Sequence, residues 1–441
     1  MTDIIDLIVP NVADFNLRHP RSALDPATRA SYIAAGSARA DQCVFWSTGS
    51  RVLVLPQGVD RQWLSDVHSA LGADLPPVIS PAPGTGLLVP QLLLDPVALA
   101  GLRRHLAECR KIRLLSWGAT EDLYHLIALL RSDGHEVVTD IPEPENYWSS
   151  LYLESKQSCL DLACQIAGLR VVPPITVDTW QELTGAVSAV LARAPSVIIR
   201  SRNGVGGEGS LVLHAGTYCQ EELWRGVRAE PLLWMFPLIV QEYVTHLPDV
   251  GCPAADMLIT DEAGVPGGVA ELVTSTITVD SHRVVSVNVG QGLLAESMEE
   301  ELHALARKVA GVAQGLGFRG WFSVDFIADQ AGGLILTEFN ARRTGGMHGI
   351  ATLDRWRGSP NVVAYSRDVV PVPSGRRLAY QDLRPVLTAL WAEDAPVFAT
   401  TVRALGGRRP SYGVLAGGAS ALAAQARGQS LPQLIEDHFG S

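Results

Sequence analysis

Short apolar runs alternate with helical patterns through the first third of the chain. "RVLVLPQ" (51–57) predicts a strand and "DRQWLSDVHSALG" (60–72) a helix. "KIRLLSW" (111–117), "EDLYHLIALLRSDG" (121–134) and "HEVVT" (135–139) predict strand, helix and strand in turn. Strands separated by helices imply an open parallel sheet. A proline-rich connector at 74–86 lies inside this unit. "DIPEPENYW" (140–148) ends it, because closely spaced prolines interrupt regular structure.

Beyond that break the pattern changes. "SKQSCLDLACQIAG" (155–168) predicts an amphipathic helix stopped by Gly168. "TWQELTGAVSAVLARA" (179–194) predicts another, N-capped by Thr179 or Asp178. "SVIIRS", "SLVLHA" and "LIVQEYV" are strand-like. "MEEELHALARKVAGVAQGLG" (298–317) predicts a long helix leading into the strand runs "GWFSVDFIAD" and "GGLILTEFN". The tail carries its own helices and a "YGVLAGG" strand. Three domains are expected: 1–145, 146–370 and 371–441. The stretches 246–256 and 281–297 carry no readable pattern and are expected to be loops that contribute to specificity.

Composition narrows the class. A chain of 441 residues with 47% hydrophobic and 18% charged residues describes a packed globular protein. A net charge of −11 argues against nucleic acid or an anionic membrane as the main partner. The apolar stretch 84–102 is broken by Pro90, Asp95 and Pro96, too early for a membrane span. The opening "MTDIIDLIVP" places Asp3 and Asp6 where a secretory signal would be basic, so a cytoplasmic protein is expected. The six cysteines form no C-x-x-C and read as apolar fillers. Lys111, Lys156 and Lys308 are the only lysines in a chain that otherwise uses arginine.

Against that background three constellations carry chemistry. "GVGGEGS" (204–210) fits G-x-G-x-x-G, but strand patterns flank it on both sides. That makes it a glycine hairpin and not the turn that opens a dinucleotide-binding helix. Gly204, Gly206, Gly207 and Gly209 leave backbone N–H groups, with Ser210 beside them, free to wrap a phosphate. A plain hairpin turn would need fewer glycines. Next, "DQAGG" (329–333) is a tight turn between two runs, so Asp325 and Glu338 face each other in an antiparallel hairpin, with Asn340 two residues on. Two carboxylates and an amide in one place repel unless a cation joins them, and an all-oxygen set suits Mg²⁺ bound with phosphates. Each carboxylate alone reads as a solvated hairpin residue; the coincidence of three argues otherwise. Third, Lys156 opens a helix and Arg200 ends the strand before the glycine hairpin. "LIVQEYV" (238–244) then offers the apolar strand and backbone edge that adenine needs, although alone it is only a buried strand.

The order of these elements resembles the ATP-grasp ligases over about residues 110–350, with "D…E-F-N-A-R" its most specific part. The resemblance implies an α/β protein. Its ATP-grasp fold, two α+β subdomains clasping ATP with a lid at about 175–245, follows a Rossmann-like pre-ATP-grasp domain and precedes a small C-terminal α/β appendage. It further implies ATP and Mg²⁺ as cofactors, Lys156 and Arg200 on the phosphates, and Gln241, Glu242, Tyr243 and Val244 along the adenine. Asp249 is then expected at the ribose, and Asp325, Glu338 and Asn340 at the metal. Arg342, matching the arginine that follows E-x-N in amino-acid ligases and biotin carboxylases, and Arg343 are expected to neutralise an acyl phosphate. Two departures stand out. Arg200 replaces the usual lysine, and Ser323 replaces the arginine of D-alanine ligases. His348 could serve as a base for the amine, but a core or surface histidine is the plainer reading.

Within the superfamily the chain is most similar to the pheganomycin-type peptide ligase, on account of its N-terminal domain and the C-terminal stretch "LAYQDLRPVLTALW". That likeness implies joining a nonproteinogenic amino acid to the N-terminus of a peptide in antibiotic biosynthesis. The partners would be an amino acid and a peptide, in a homodimer. Two rivals are an ATP-grasp carboxylase using bicarbonate and an ATP-binding module without turnover.

Overall fold

The computed structural model describes residues 4–18, 24–47, 49–204, 206–262, 265–356, 359–392 and 396–440. Val205 of the glycine hairpin, and Asp3 at the start, lie outside the described residues.

Three sheets build the molecule. The first holds β1 (Ile4–Val9), β2 (Arg51–Val54), β3 (Val78–Ile79), β4 (Lys111–Ser116) and β5 (Glu136–Thr139) in the order β3-β2-β1-β4-β5, all parallel. Helices bury both of its faces, and its central strand β1 is a near-continuous apolar run. Asp6 is the exception; it is held by Nε and Nη2 of Arg113 at 2.8 and 2.7 Å.

The second sheet is the expected lid. It holds β6 (Ile175–Val177), β7 (Ser196–Ser201), β8 (Ser210–His214) and β9 (Leu238–Glu242), ordered β6-β9-β7-β8 and antiparallel. The helix Trp180–Leu191 covers one face of it. Thr179 caps that helix in a reciprocal box with Glu182, which selects Thr179 over Asp178 as the N-cap.

The third sheet is antiparallel and eight-stranded. Its strands are β10 (Cys252–Ile259), β11 (Val269–Asp280), β12 (Arg283–Gly290), β13 (Gly320–Ala328), β14 (Leu334–Asn340), β15 (Val363–Pro371), β16 (Val397–Thr401) and β17 (Ser411–Gly418), ordered β14-β13-β10-β11-β12-β15-β17-β16. The helix Glu296–Gly315 packs Leu302, Ala306 and Val309 onto Phe322, Phe326 and Phe339 at one end of it. β12 falls within a stretch expected to be a loop, and β10 begins within another. β10 was hidden because Pro253 and the buried Asp256 interrupt its apolar run, yet it is an interior strand paired on both sides.

The C-terminal α/β segment is appended by continuing this sheet. β15 pairs with both β12 and β17, and the boundary expected at 370/371 falls at the end of β15. Its core is shared with the N-terminal domain. Val12, Phe15 and Trp63 pack in one cluster with Tyr365, Leu415 and Ile435, and Trp63 Nε1 donates to the Ala399 carbonyl at 2.9 Å.

Candidate active site

The tight turn after β13 sets the register that matters. Asp325 and Glu338 are direct partners across the β13–β14 ladder, with an irregularity just after Asp325, and Asn340 pairs with Ser323 on the same ladder. Glu338 receives both expected cations. Its Oε2 lies 2.8 Å from Lys156 Nζ and 3.0 Å from Arg200 Nη2. The Lys156 and Glu338 side chains are only 7% and 18% exposed, so solvent screens the pair little. Lys156 Nζ also donates to Gly204 O at 2.9 Å, tying the helix that opens at Lys156 to the glycine hairpin. Arg200 Nη1 donates to Thr337 O at 3.0 Å, which sets this arginine down on β14.

Asp325 has only neutral donors. Ser323 Oγ donates to its Oδ1 and Asn340 Nδ2 to its Oδ2, each at 2.9 Å. Burial, then the negative charge of Glu338 and of Asp256, raises Asp325 to about 7. Burial also pushes Glu338 upward, but Lys156 and Arg200 more than compensate and hold it below its usual value. A divalent cation would satisfy the carboxylate that the chain leaves without one. Among the described residues no three His, Cys, Asp or Glu side chains converge as a closed metal cage. Two carboxylates with phosphate and water completing the shell is the arrangement Mg²⁺ prefers. The carbonyl oxygen of Asn340 faces elsewhere, accepting from Arg342 Nη2 at 2.7 Å.

The two carboxylates stand between two cavities. On the lid side is a slot of about 140 Å³, walled by Val172, Ile198, Ile327 and Leu336 and edged by Gln241 to Val244. Lys156, Arg200, Gly207 and Ser210 sit at the same slot, an apolar pocket with cations at one end. Gln241 spends its side chain on Val172 O at 2.6 Å, while Glu242 is exposed. Opposite is a polar cavity of about 340 Å³ that reaches Arg342, Asp256, Arg39 and Arg367. Asp325 and Glu338 line both.

The glycine hairpin closes over this ground. Gly206 O accepts from Val284 N at 3.2 Å, and Tyr243 OH donates to Ser281 O at 2.5 Å, seating the lid on the β11–β12 turn. Gly207 has φ +88°, and a Cβ there would run into His282 O; Gly209 has φ +71° and lies against Ser201. Both positions demand glycine.

The two arginines diverge. Arg342 stays at the site: Nε donates to Glu154 Oε1 at 2.9 Å, and Glu154 Oε2 accepts from Ala341 N at 2.7 Å. Arg343 does not reach it. Its guanidinium bonds Asp140 Oδ2 at 2.5 Å between the rings of Trp46 and Trp321, lining a separate groove on another side. Consecutive residues leaving a strand point in opposing directions, and the N-terminal domain supplies Asp140 as an acceptor. Asp249 is an exposed turn residue that does not line the slot; His246 and Tyr243 do. His348 is a core histidine, bonded to Ser366 Oγ at 2.7 Å and pushed to lower pKa by burial.

Sequence reasoning missed Glu154, Asp256, Arg39 and Arg367. Glu154 lies two residues before Lys156, and that spacing was its one local signal. Asp256 sits in a strand whose pattern was illegible. Arg39 and Arg367 reach the site only through tertiary packing.

No family profile matches the chain, and no curated protein matches it. Solved structures do. A carboxyaminoimidazole ribonucleotide synthase of Aspergillus clavatus, complexed with ATP, aligns at TM-score 0.53 and 11% identity over 98% of each chain. An N5-carboxyaminoimidazole ribonucleotide synthetase of Thermus thermophilus aligns at 0.51 and 11%, also over 98% of each. A biotin carboxylase of Campylobacter jejuni aligns at 0.54 and 13%, over 99% of this chain and 96% of that one. These likenesses run almost end to end at identities that speak to architecture, and the architecture is the ATP-grasp fold, with a parallel N-terminal sheet, a lid sheet and a central antiparallel sheet.

Proposed function

We propose that the chain is an ADP-forming ligase that uses ATP to activate a carboxylate and couples it to an amine. The observation that supports this best is the placing of Asp325 and Glu338 between an apolar slot and a polar cavity, with Lys156 and Arg200 on the slot side. In this reading adenine enters the slot along Gln241–Val244, and the phosphates run toward Lys156, Arg200 and the glycine hairpin. Asp325 and Glu338 hold Mg²⁺, which when bound supplies charge neutralisation and orientation for phosphoryl transfer. Asn340 positions Asp325.

The chemistry balances as two displacements. A carboxylate oxygen attacks the γ-phosphorus, the bond to the β–γ bridging oxygen breaks, and ADP leaves. The amine then attacks the acyl carbon, the C–O bond to phosphate breaks, and the proton shed by nitrogen passes to solvent. The first step brings an anionic carboxylate to an anionic phosphate, and the second develops charge on the acyl oxygen and the departing phosphate, so positioned cations account for most of the rate. Arg342 lines the polar cavity and in this reading steadies the acyl phosphate. The finer reading, a nonproteinogenic amino acid joined to a peptide N-terminus, rests on the resemblance in sequence. A second reading has bicarbonate as the carboxylate, and the carboxylase names of the similar solved structures favour it.

A hydroxylamine trap separates these readings. The protein, ATP and Mg²⁺ are incubated with amino acids or with bicarbonate, and hydroxamate, ADP and phosphate are measured. Hydroxamate formed with one amino acid, matched by ADP, supports the ligase. ADP release with bicarbonate and no hydroxamate supports the carboxylase. ATP binding without turnover on any donor overturns both.

A further inference from the structure

Arg18 lies just past the first helix, Val12–Asn16. Its Nη1 donates to Phe15 O at 3.0 Å, and its guanidinium carbon lies 3.3 Å from the Phe15 ring centroid. Its Nε and Nη2 are buried and have no hydrogen-bond partner among the described residues. Burial pushes this guanidinium down to about 10, with Glu154 the strongest opposing charge. Glu154 is itself committed to Arg342 and to Ala341 N. A dry cation with two open N–H groups is costly unless an anion completes it. Nε and Nη2 form one edge of the guanidinium, the edge that grips a carboxylate in two-point fashion.

Arg18 lines a cavity of about 290 Å³ between the N-terminal domain and the lid sheet, near the lower limit for small-ligand sites, ~300 Å³. Phe15, Arg18 and Tyr32 wall one side; Ser201, Gly204 and Glu208 wall the other. A second orphan lies in the same wall: Asn16 Oδ1, buried and without a donor. Glu208 accepts from the Tyr32 hydroxyl, and burial raises its carboxyl. Glu208 also lines the polar cavity beside Asp325 and Arg342, so the two cavities adjoin there. An unpaired cationic fork, an unpaired acceptor and a carboxylate around one small cavity are the complement of a zwitterion.

We propose that this cavity is the subsite for the amine-bearing substrate, an amino acid or the end of a short peptide whose carboxylate is held by Arg18 and whose amine points toward Glu208. The proposal rests on the ligase reading, and it gives the second displacement a place from which nitrogen can approach.

The test uses the full chain. Thermal shifts are recorded with L-amino acids, with glycyl dipeptides, with the C-terminal amide of each, and with inorganic phosphate, for the wild type, Arg18→Gln and Arg18→Lys. The shift given by an ATP analogue serves as the folding control. At least one carboxylate-bearing amine is expected to stabilise the wild type while its amide does not. Its half-maximal concentration should rise at least ~10-fold in Arg18→Gln, which corresponds to about 1.4 kcal/mol, and only partly recover in Arg18→Lys. Equal response of acid and amide overturns the proposal, as does equal response of wild type and Arg18→Gln. An Arg18-dependent shift with phosphate alone, or no shift with any amine, overturns it too. Failure of the ligase reading shows separately in the hydroxylamine assay, as nucleotide binding with no hydroxamate from any amino acid.

Discussion

Glu338 is paired with two cations while, among the described residues, Asp325, its cross-strand partner, is hydrogen-bonded by the side chains of Ser323 and Asn340, and that asymmetry is the residue-scale basis of the site. Glu338→Gln removes the charge that organises Lys156 and Arg200 and one of two carboxylates available to a metal. ADP release is expected to fall by at least ~10²-fold, since several kcal/mol of charge stabilisation depend on the metal. Steady-state assay checks this, and wild-type turnover in the variant would sink the metal assignment. Asp14 bears on stability instead. Its buried carboxylate caps the helix Leu88–Leu94 by accepting from Leu88 N and Val89 N at 2.9 and 3.0 Å. Burial raises its pKa from 3.8 to about 6. A carboxyl raised in the folded state stabilises fully below its unfolded pKa and loses that contribution as pH climbs through the folded one. The advantage of wild type over Asp14→Asn should therefore shrink by about 2 kcal/mol between pH 4 and 7. Urea unfolding at both pH values measures it; a constant difference would refute the burial argument.

At the scale of elements, the glycine hairpin shows how sequence spacing becomes local structure. Strands on both sides of Gly204–Ser210 identified a hairpin, and β7 and β8 pair across it. What the hairpin rests on is not local: Gly207 lies against His282 of the β11–β12 turn, distant in sequence but adjacent in space. Gly207→Ala introduces a Cβ at positive φ and against that carbonyl, so the lid must lift. KM for ATP is expected to rise about tenfold, a loss near 1.4 kcal/mol, with secondary structure by circular dichroism unchanged. An unaltered KM would mean that the lid does not close on nucleotide.

Over the whole molecule, the C-terminal segment is inseparable from the rest. β16 and β17 continue the central sheet, and Arg384 and Arg403 bridge to Asp66 and Asp41 of the N-terminal domain at 2.6 and 2.8 Å. A chain ending at residue 371 would expose the shared core, and we expect it to show no cooperative thermal transition; a sharp melt near that of the full chain would contradict this. The sequence alone determined the parallel N-terminal sheet, the glycine hairpin between β7 and β8, and the Asp325–Glu338–Asn340 hairpin. Each rests on local periodicity, on turn residues or on a register fixed by a short turn. Tertiary structure decided the rest. It turned Arg343 toward Asp140, left Asp249 off the slot, merged the tail into the central sheet and brought Arg18, Glu208 and Arg39 to the cavities. Those outcomes depend on which side chains from distant segments compete for the same charge and volume, and no spacing along the chain encodes that.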